Sequence, residues 1–281
     1  MTGLLITSIA NGGVDVVPID YLELFLDPIR VSKNYKPKFG QSQNSSGFSL
    51  AEFRQHYGAD PFYSWIGIDD QLMYAAHKAA GGMTSIYRQI GVGCENLFRQ
   101  IIVDTCQYLD PALAKWSYEA KTSGGKNKTL ALDGRLELSA IQNVSVAKNL
   151  DRWIRQYLSL FQGAQFPSNG VVFEVRQGYK SKDSKRQNAD IDNATVAWAS
   201  GYLPVFAIFS SQIDTDLMLR YRNNRCGILV GQLEAPATIS LYSFTREILG
   251  FDLAGFFGTH SKVIRDEVRS VLSTLLSPEE E

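Results

Sequence analysis

Cysteine and histidine are both scarce in this chain, with three of each among its 281 residues. The cysteines (Cys94, Cys106 and Cys226) form no Cys-x-x-Cys pair, and the histidines lack the spacing of zinc ligands. The sequence therefore offers no disulfide framework and no zinc site. An odd, unpatterned set of thiols instead predicts reduced cysteines and a cytoplasmic location.

Long apolar runs and an excess of charge are also absent. No run approaches the roughly 20 apolar residues of a membrane span. The N-terminal segment is too short, and carries too little charge at its start, for a signal peptide. The sequence therefore predicts a soluble protein without a membrane partner. The formal net charge of -1 gives no overall basic field, so any binding of nucleic acid has to come from local patches.

Motifs of several other enzyme classes are missing as well. The chain contains no Gly-x-Ser-x-Gly nucleophile motif and no Gly-x-Gly-x-x-Gly dinucleotide fingerprint. Residues 124–127 contain a glycine pair and a lysine, but they lack the first glycine and the hydroxyl residue of a phosphate-binding loop. We interpret this segment as a flexible turn.

The composition that remains is that of a globular protein, with 44% hydrophobic and 20% charged residues. Apolar runs predict strands, and apolar residues at four-residue steps predict helices. Strands are predicted over 128–138 (as a pair or as one long strand), 171–177, 203–210 and 227–230. Helices are predicted over 146–161, from about 184, over 214–221 and from 240 onward. The mixture predicts an α/β fold, with a mixed central sheet flanked by helices on both faces.

Glycine and polar residues predict the breaks between these elements. A helix capped by residues 69–70 is expected to end at the glycine pair 81–82, and the next helix is expected to kink or break near residues 91–93. The polar segment 31–48 is expected to form an exposed loop or arm. The Asp-Gly pair at 133–134 is either a hairpin turn or part of a site.

A carboxylate stands inside an apolar strand at Glu174, where burial is costly unless the charge is paired. Side chains alternate along a strand, so Glu174 and Arg176 share one face. Asp133 lies in an earlier apolar strand, and pairing of the two strands would bring Asp133 and Glu174 together as ligands for Mg²⁺. Such an ion activates a water molecule and stabilises charge on a phosphoryl oxygen. Arg176 would add a positive charge beside the reacting phosphate.

The order of these residues resembles the PD-(D/E)xK nuclease superfamily, and in particular its type II restriction endonucleases. Asp133 in one strand is followed by the triplet Glu174-Val175-Arg176 in the next strand, and then by a helix. The resemblance covers about residues 84–231. It implies a restriction-endonuclease-like core within one domain over 1–281, made of an N-terminal elaboration (1–82), a catalytic core (83–231) and C-terminal helices (232–281).

The resemblance also implies two further acidic residues at the site. Glu95, on the helix before the first strand, matches a metal-proximal glutamate of the family. Asp190, on the helix after the triplet, matches an accessory acid. Each has a structural alternative, because Glu95 could cap a helix that restarts after Gly93 and Asp190 could be a solvated helix residue.

Arg176 departs from the family pattern, in which a lysine takes this position. Arginine keeps its proton at any working pH, so Arg176 can stabilise charge but cannot act as a base. Either Arg176 supplies the catalytic charge, or Lys180 or Lys182 reaches the site from the next segment. A structural ion pair between Glu174 and Arg176 is the alternative without catalysis.

The first acidic residue also has alternatives. The chain between Asp133 and Glu174 contains a full predicted helix, which makes the spacing longer than in compact members of the family. Glu137 and Asp104 are therefore the other candidates for this role.

Polar and charged residues follow the triplet and are predicted to contact DNA. Lysine and arginine reach guanine or phosphates, glutamine and asparagine pair with adenine, and aspartate accepts a hydrogen bond from cytosine. The predicted DNA-contacting residues are Lys180, Lys182, Asp183, Lys185, Arg186, Gln187 and Asn188. The alternative is a solvated turn and helix start.

The function implied by the resemblance is Mg²⁺-dependent cleavage of double-stranded DNA at a short palindromic site, leaving a 5′-phosphate and a 3′-hydroxyl. A homodimer is expected, because a two-fold protein reads a palindrome with two copies of one surface. Its contact is expected in the C-terminal helices. A cognate DNA methyltransferase is expected in the same system, but not as a stable partner. The alternatives are a non-catalytic DNA-binding or regulatory protein on a decayed nuclease fold, and a nuclease for repair or for RNA.

Overall fold

The computed structural model describes residues 3–4, 18–39, 47–121, 127–161, 163, 165–179 and 184–277. These residues belong to two compact units. Unit 1 comprises Met1–Tyr21 and Cys94–Gly258, and unit 2 comprises Leu22–Gly93 and Thr259–Glu281, each over its described residues. These boundaries differ from the predicted segments, and the single-domain organisation stays a prediction.

The strands of the described chain form three sheets in unit 1. They are β1 (Gly3–Leu4), β2 (Pro18–Ile19), β3 (Trp116–Lys121), β4 (Asn127–Leu132), β5 (Gly134–Glu137), β6 (Gly170–Arg176), β7 (Tyr202–Ile208) and β8 (Gly227–Leu229). β1 pairs with β2 and β3 pairs with β4, both antiparallel. The largest sheet has the order β5-β6-β7-β8, in which β5 is antiparallel to β6 and the other pairs are parallel.

Helices account for most of the remaining described chain. They are α1 (Tyr21–Val31), α2 (Leu50–Gly58), α3 (Pro61–Trp65), α4 (Gln71–Cys106), α5 (Val144–Leu158), α6 (Ser184–Ala199), α7 (Thr215–Asn223), α8 (Leu241–Phe244) and α9 (Leu253–Leu276). Asn143 and Asp214 cap α5 and α7 by accepting hydrogen bonds from backbone N–H groups of the first turn. The prediction of a mixed α/β protein is confirmed.

The Asp133-Gly134 pair joins two strands without a reversal of the chain, so the hairpin alternative is wrong. β4 pairs with β3, whereas β5 pairs with β6, and Asp133 is the single residue between β4 and β5. The Asp133 N–H donates a hydrogen bond of 2.8 Å to the carbonyl of Phe173. The chain therefore continues alongside β6 because the backbone of Asp133 is already held there.

The two faces of the four-stranded sheet pack on different helices. On one face, Phe173 of β6 packs edge-on against Phe98 of α4 and at a tilt against Phe244 of α8. On the other face, Phe206 of β7 stacks on Tyr221 of α7 at 4.3 Å between ring centroids. Glu174 and Arg176 alternate with buried Phe173 and Val175, as predicted from the period of a strand.

Helix α4 is continuous, which contradicts the predicted end at residues 81–82 and the predicted break near residues 91–93. A glycine inside a helix costs about 1 kcal/mol relative to alanine, so another factor has to retain these glycines. A Cβ at Gly81 would collide with the hydroxyl of Tyr35, and a Cβ at Gly93 would collide with the carbonyl oxygen of Phe25. Glycine here permits close packing within unit 2 and does not terminate the helix.

Helices α4 and α9 are the longest of the chain, with 36 and 24 residues. Each contributes residues to both units. Neither of them, nor any other helix within the described ranges, combines the length and the apolar composition that crossing a bilayer requires.

An aromatic cluster forms the core of unit 2. Phe39 packs on Phe53 at 4.9 Å between ring centroids, and Phe53 packs on Tyr74 at 5.6 Å. Ser32, in a short 3₁₀ turn, is also buried. The prediction that residues 31–48 form an exposed loop or arm is therefore wrong for Ser32, Pro37 and Phe39, which are buried, whereas Asn34, Lys36 and Lys38 are exposed. Residues 40–46 lie outside the described chain.

Candidate active site

Asp133 and Glu174 meet at the carboxyl end of β6. The pairing of Gly134 with Phe173 places Asp133 opposite Glu174 in the continuing register. The Asp133 N–H donates to the Phe173 carbonyl, and Asp133 Oδ2 accepts a hydrogen bond of 2.8 Å from the Val175 N–H. The backbone groups of Phe173 and Val175, on either side of Glu174, thus hold both the main chain and the carboxylate of Asp133 in place. The structure brings this predicted pair together.

Arg176 forms two ion pairs at the same strand end. Its Nη2 lies 2.5 Å from Oε1 of Glu174 and 3.1 Å from Oδ1 of Asp190. Burial opposes the charge on Arg176, but these two carboxylates raise its pKa overall. Arg176 Nε is buried and has no hydrogen-bond partner among the described residues. Arg176 therefore stays charged and is held between two acidic side chains.

Glu95 approaches Asp133 from helix α4. Arg99, one helical turn after Glu95, donates a hydrogen bond of 2.9 Å from Nε to the carbonyl oxygen of Asp133. Residues four apart lie on one face of a helix, so Glu95 shares with Arg99 the face of α4 that adjoins Asp133, and the charge of Asp133 acts on the pKa of Glu95. The helix-cap alternative for Glu95 is wrong, because α4 continues through Gly93.

Three carboxyl groups, those of Glu95, Asp133 and Glu174, lie close together and are partly or largely buried. Burial and the neighbouring charge of Asp133 raise the pKa of Glu174 to about 8. The same two causes raise the pKa of Glu95 to about 7. Burial also raises the pKa of Asp133. A cation between these carboxylates would relieve the repulsion.

The donor set of this cluster fits Mg²⁺, which is bound by one or two carboxylates with water and phosphate oxygens completing its shell. Oδ2 of Asp133 and Oε1 of Glu174 are engaged by the Val175 N–H and by Arg176. The second oxygen of each carboxylate is the candidate metal ligand. Over the described chain, no group of three or more Asp, Glu, His or Cys side chains is arranged to hold a metal ion. Asp133 and Glu174 are the candidate ligands, and the role of Glu95 as a third stays a prediction.

Asp190 is buried, with 4% of its side chain exposed, so the solvated alternative is wrong. Its Oδ1 accepts a hydrogen bond from Arg176, and its Oδ2 accepts hydrogen bonds from the hydroxyls of Tyr179 at 2.8 Å and Tyr221 at 2.6 Å. Asp190 thus contacts the cluster through Arg176. Its role as an accessory acid stays a prediction.

The predicted DNA-contacting residues divide into three groups. Lys180, Lys182 and Asp183 lie outside the described residues. Lys185 and Arg186 lie in the first turn of α6, and the charge of Arg186 lowers the pKa of Glu174 against the larger effect of burial. Gln187 and Asn188 accept hydrogen bonds of 2.5 and 2.6 Å from Arg220. The charge of Arg186 therefore acts on the carboxylate cluster.

The two alternatives for the first acidic residue lie elsewhere. Glu137 is opposite Gly170, at the other end of the β5–β6 pair, and it accepts a hydrogen bond of 2.5 Å from the Tyr202 hydroxyl. Asp104 accepts hydrogen bonds from Tyr21 at 2.5 Å and Gln100 at 3.0 Å. Neither residue is needed to complete the pair that Asp133 forms with Glu174.

Three residues of the site were not found from the sequence: Arg99, Tyr179 and Tyr221. Arg99 carries a local signal, because it follows Glu95 by four residues and so shares a helix face with it. Tyr221 carries none, because it lies 31 residues from Asp190. Only the packing of α6 against α7 brings the two together.

The raised pKa of Glu174 predicts how stability depends on pH. Between about pH 4.5 and about pH 8 the folded protein binds more protons than the unfolded chain, so the free energy of unfolding falls as the pH rises through this window. Glu174→Gln removes the charge and is expected to be more stable than the wild type, by a margin that grows across the window. One kcal/mol corresponds to roughly 2–4 °C in the melting temperature of a domain of about 150–250 residues. Calorimetry in metal-free buffer at both ends of the window measures the margin, and an equal margin at both ends would refute this account.

Comparison with protein-family models, with curated proteins and with solved structures finds no match for this chain. The geometry of the site and the order of its residues therefore carry the functional argument.

Proposed function

We propose that this protein is a Mg²⁺-dependent endonuclease of the type II restriction class, which cleaves double-stranded DNA at a specific short site. The observation that carries the proposal is the meeting of Asp133 and Glu174 beside Arg176 at the carboxyl end of β6. Two carboxylates next to a fixed cation suit a site that binds a metal ion and a phosphate. In open α/β sheets, ligands bind beyond the carboxyl ends of the strands, which further supports this location.

The order of the elements supports a restriction-endonuclease-like core. Helix α4 carries Glu95, β4 and β5 flank Asp133, β6 carries Glu174 and Arg176, and α6 follows. This is the order of helix, acidic strand, acidic-x-basic strand and helix that the sequence resemblance implies. The antiparallel pairing of β5 with β6 supports it too, because the two acidic residues converge only if these strands are neighbours.

In the proposed mechanism, the acidic side chains bind the ion and the arginines act on the charge of the phosphate. Asp133 and Glu174 would hold the ion, which supplies an activated water and stabilises charge on the scissile phosphate. The backbone bonds around Asp133 keep its carboxylate in place before substrate arrives, which limits the cost of reorganisation. Arg176 keeps its proton and stabilises negative charge that develops beside Glu174. Arg186, in the first turn of α6, is placed to attract the phosphate backbone.

The biological form follows from the same proposal. A homodimer would present two copies of the site to a palindrome, with the C-terminal helices as the proposed contact. The products would carry a 5′-phosphate and a 3′-hydroxyl. The proposal includes a cytoplasmic location and a cognate DNA methyltransferase in the same system, which is not a stable partner.

A second candidate is a non-catalytic, sequence-specific DNA-binding protein on a decayed nuclease fold. Two observations favour it. Arg176 stands where the family has a lysine. Its two ion pairs also partly neutralise Glu174. Such a protein would bind one DNA sequence tightly without cutting it, and Glu174→Ala would leave that binding unchanged.

Digestion of plasmid DNA with Mg²⁺ and with a chelator distinguishes the two candidates. The proposed nuclease yields discrete fragments with Mg²⁺ and none with the chelator, because the ion would supply the activated water. Specific binding without fragments under any divalent ion supports the second candidate. Cutting that follows DNA structure and not sequence would indicate a repair nuclease.

A further inference from the structure

A carboxylate and two tyrosines form a buried group behind Arg176. Oδ2 of Asp190 accepts the hydroxyls of Tyr221 and Tyr179, and the two hydroxyl oxygens lie 2.7 Å apart. We call Asp190, Tyr179 and Tyr221 the tyrosine clamp. Its members come from three places in the chain: Tyr179 follows β6, Asp190 lies in α6 and Tyr221 lies in α7.

The clamp fixes the direction of the Asp190 carboxylate. Burial, the largest cause in both cases, raises the pKa of Tyr221 and raises the pKa of Tyr179 to about 12. Both hydroxyls therefore remain hydrogen-bond donors at any working pH. With Oδ2 held by two hydroxyls, Oδ1 is directed at Arg176. A simple ion pair would not require two additional buried donors to hold one oxygen.

The orientation of Arg176 follows from the clamp. Nη2 is shared between Glu174 and Asp190, whereas Nε is buried without a partner among the described residues. A buried donor without a partner costs free energy, so the guanidinium does not take the orientation that best satisfies its own donors. The carboxylates of Glu174 and Asp190 determine the orientation of the guanidinium. Of these two, Asp190 is held in place by the hydroxyls of Tyr179 and Tyr221.

We infer that the tyrosine clamp positions Arg176, and that Asp190 thereby keeps Glu174 available to a divalent cation. This inference rests on the proposed function and assigns a positioning role to Asp190, Tyr179 and Tyr221. Arg176 and the cation compete for the same carboxylate. Asp190 takes up part of the charge of Arg176, so Glu174 is less completely neutralised by it. Without Asp190, Arg176 pairs with Glu174 alone and competes more strongly with the ion.

The test is the Mg²⁺ concentration that gives half-maximal cleavage of plasmid DNA. Asp190→Asn is expected to raise it by about tenfold, the lower end of what loss of an outer partner costs a metal site. Tyr221→Phe, which removes one neutral hydrogen bond, is expected to raise it by about threefold. The KM for DNA stays unchanged in both, because neither residue is proposed to touch substrate.

Tyr157→Phe is the matched control. Tyr157 is buried like Tyr221, and its hydroxyl accepts a hydrogen bond of 2.8 Å from the Ile228 N–H, away from Asp190. This variant loses stability without a change in the Mg²⁺ requirement. If Asp190→Asn and Tyr221→Phe only lower the melting temperature, as Tyr157→Phe does, the clamp is structural and the inference is wrong.

A second measurement separates failure of this inference from failure of the proposed function. NMR of the metal-free protein reports how fast the Arg176 guanidinium rotates. The clamp predicts slow rotation in the wild type and faster rotation in Asp190→Asn and Tyr221→Phe. If the wild type cuts no DNA, the proposed function fails, and the effect of the clamp on Glu174 fails with it. If the wild type cuts DNA but rotation is equally fast in all three proteins, the clamp alone is refuted.

Discussion

Glu174→Gln is expected to lower the rate of Mg²⁺-dependent DNA cleavage by about a thousandfold. A metal ion contributes several kcal/mol of charge stabilisation, and each 1.36 kcal/mol is a factor of about ten in rate. Glutamine keeps the size of the side chain but lacks the charge that binds the ion. The measurement is the single-turnover cleavage rate at saturating protein, so that weaker DNA binding does not enter.

Glu137→Gln is the matched control for this loss. Glu137 lies on β5 in the same sheet, but at the opposite end from Asp133, where it bonds to Tyr202. Glutamine can keep that hydrogen bond, so the control should cut at nearly the wild-type rate. Equal losses of cleavage rate in the two variants would mean that any substitution in this sheet impairs cleavage, and that the loss is not specific to Glu174. A wild-type rate in Glu174→Gln would show that Glu174 has no part in the mechanism.

Arg176→Ala is expected to lower the cleavage rate by about a hundredfold, which is the cost of losing one preorganised charge donor at a reacting group. The loss has a second part that depends on pH. The charge of Arg176 lowers the pKa of Glu174 against burial and Asp133, so its removal lets that pKa rise further. Because the ion requires the ionised carboxylate, the pH–rate profile should move to higher pH.

Arg176→Lys separates charge from geometry at this position. A lysine ammonium is a compact point charge and lacks the planar fork that spans Glu174 and Asp190. We expect its rate to lie between those of the wild type and Arg176→Ala. Wild-type rates and unshifted profiles in both variants would mean that Arg176 is not the catalytic cation. Lys180→Ala and Lys182→Ala would then test the two remaining candidates.

The strands that carry the site could be predicted from the sequence because their signals are local. β6 and β7 are apolar runs. Glu174 interrupts the run of β6, and its side chain lies on the same face of the strand as that of Arg176. The pairing of Asp133 with Glu174 was an inference about two strands being neighbours. It holds because β5 continues from β4 along β6, whereas the Asp-Gly signal alone also allowed a turn.

The errors arose where tertiary packing overrides a local preference. Gly81 favours a helix end and Gly93 a kink or break, yet each provides space for another part of unit 2 to approach α4. The burial of Asp190 could not be predicted either, because its partner Tyr221 is distant in sequence and α6 has no strongly apolar face around Asp190. The hydrogen bond from Arg99 to Asp133 likewise joins residues 34 positions apart.

The most direct test of the central claim is whether Asp133 and Glu174 act as one metal site. Cleavage rates are measured for Asp133→Asn, Glu174→Gln and the double variant under the same saturating Mg²⁺. Residues that act as a unit show strongly non-additive losses, so the double variant should cut no more than about tenfold more slowly than either single variant. A wild-type rate in either single variant, or a double loss equal to the product of the single losses, would contradict the account.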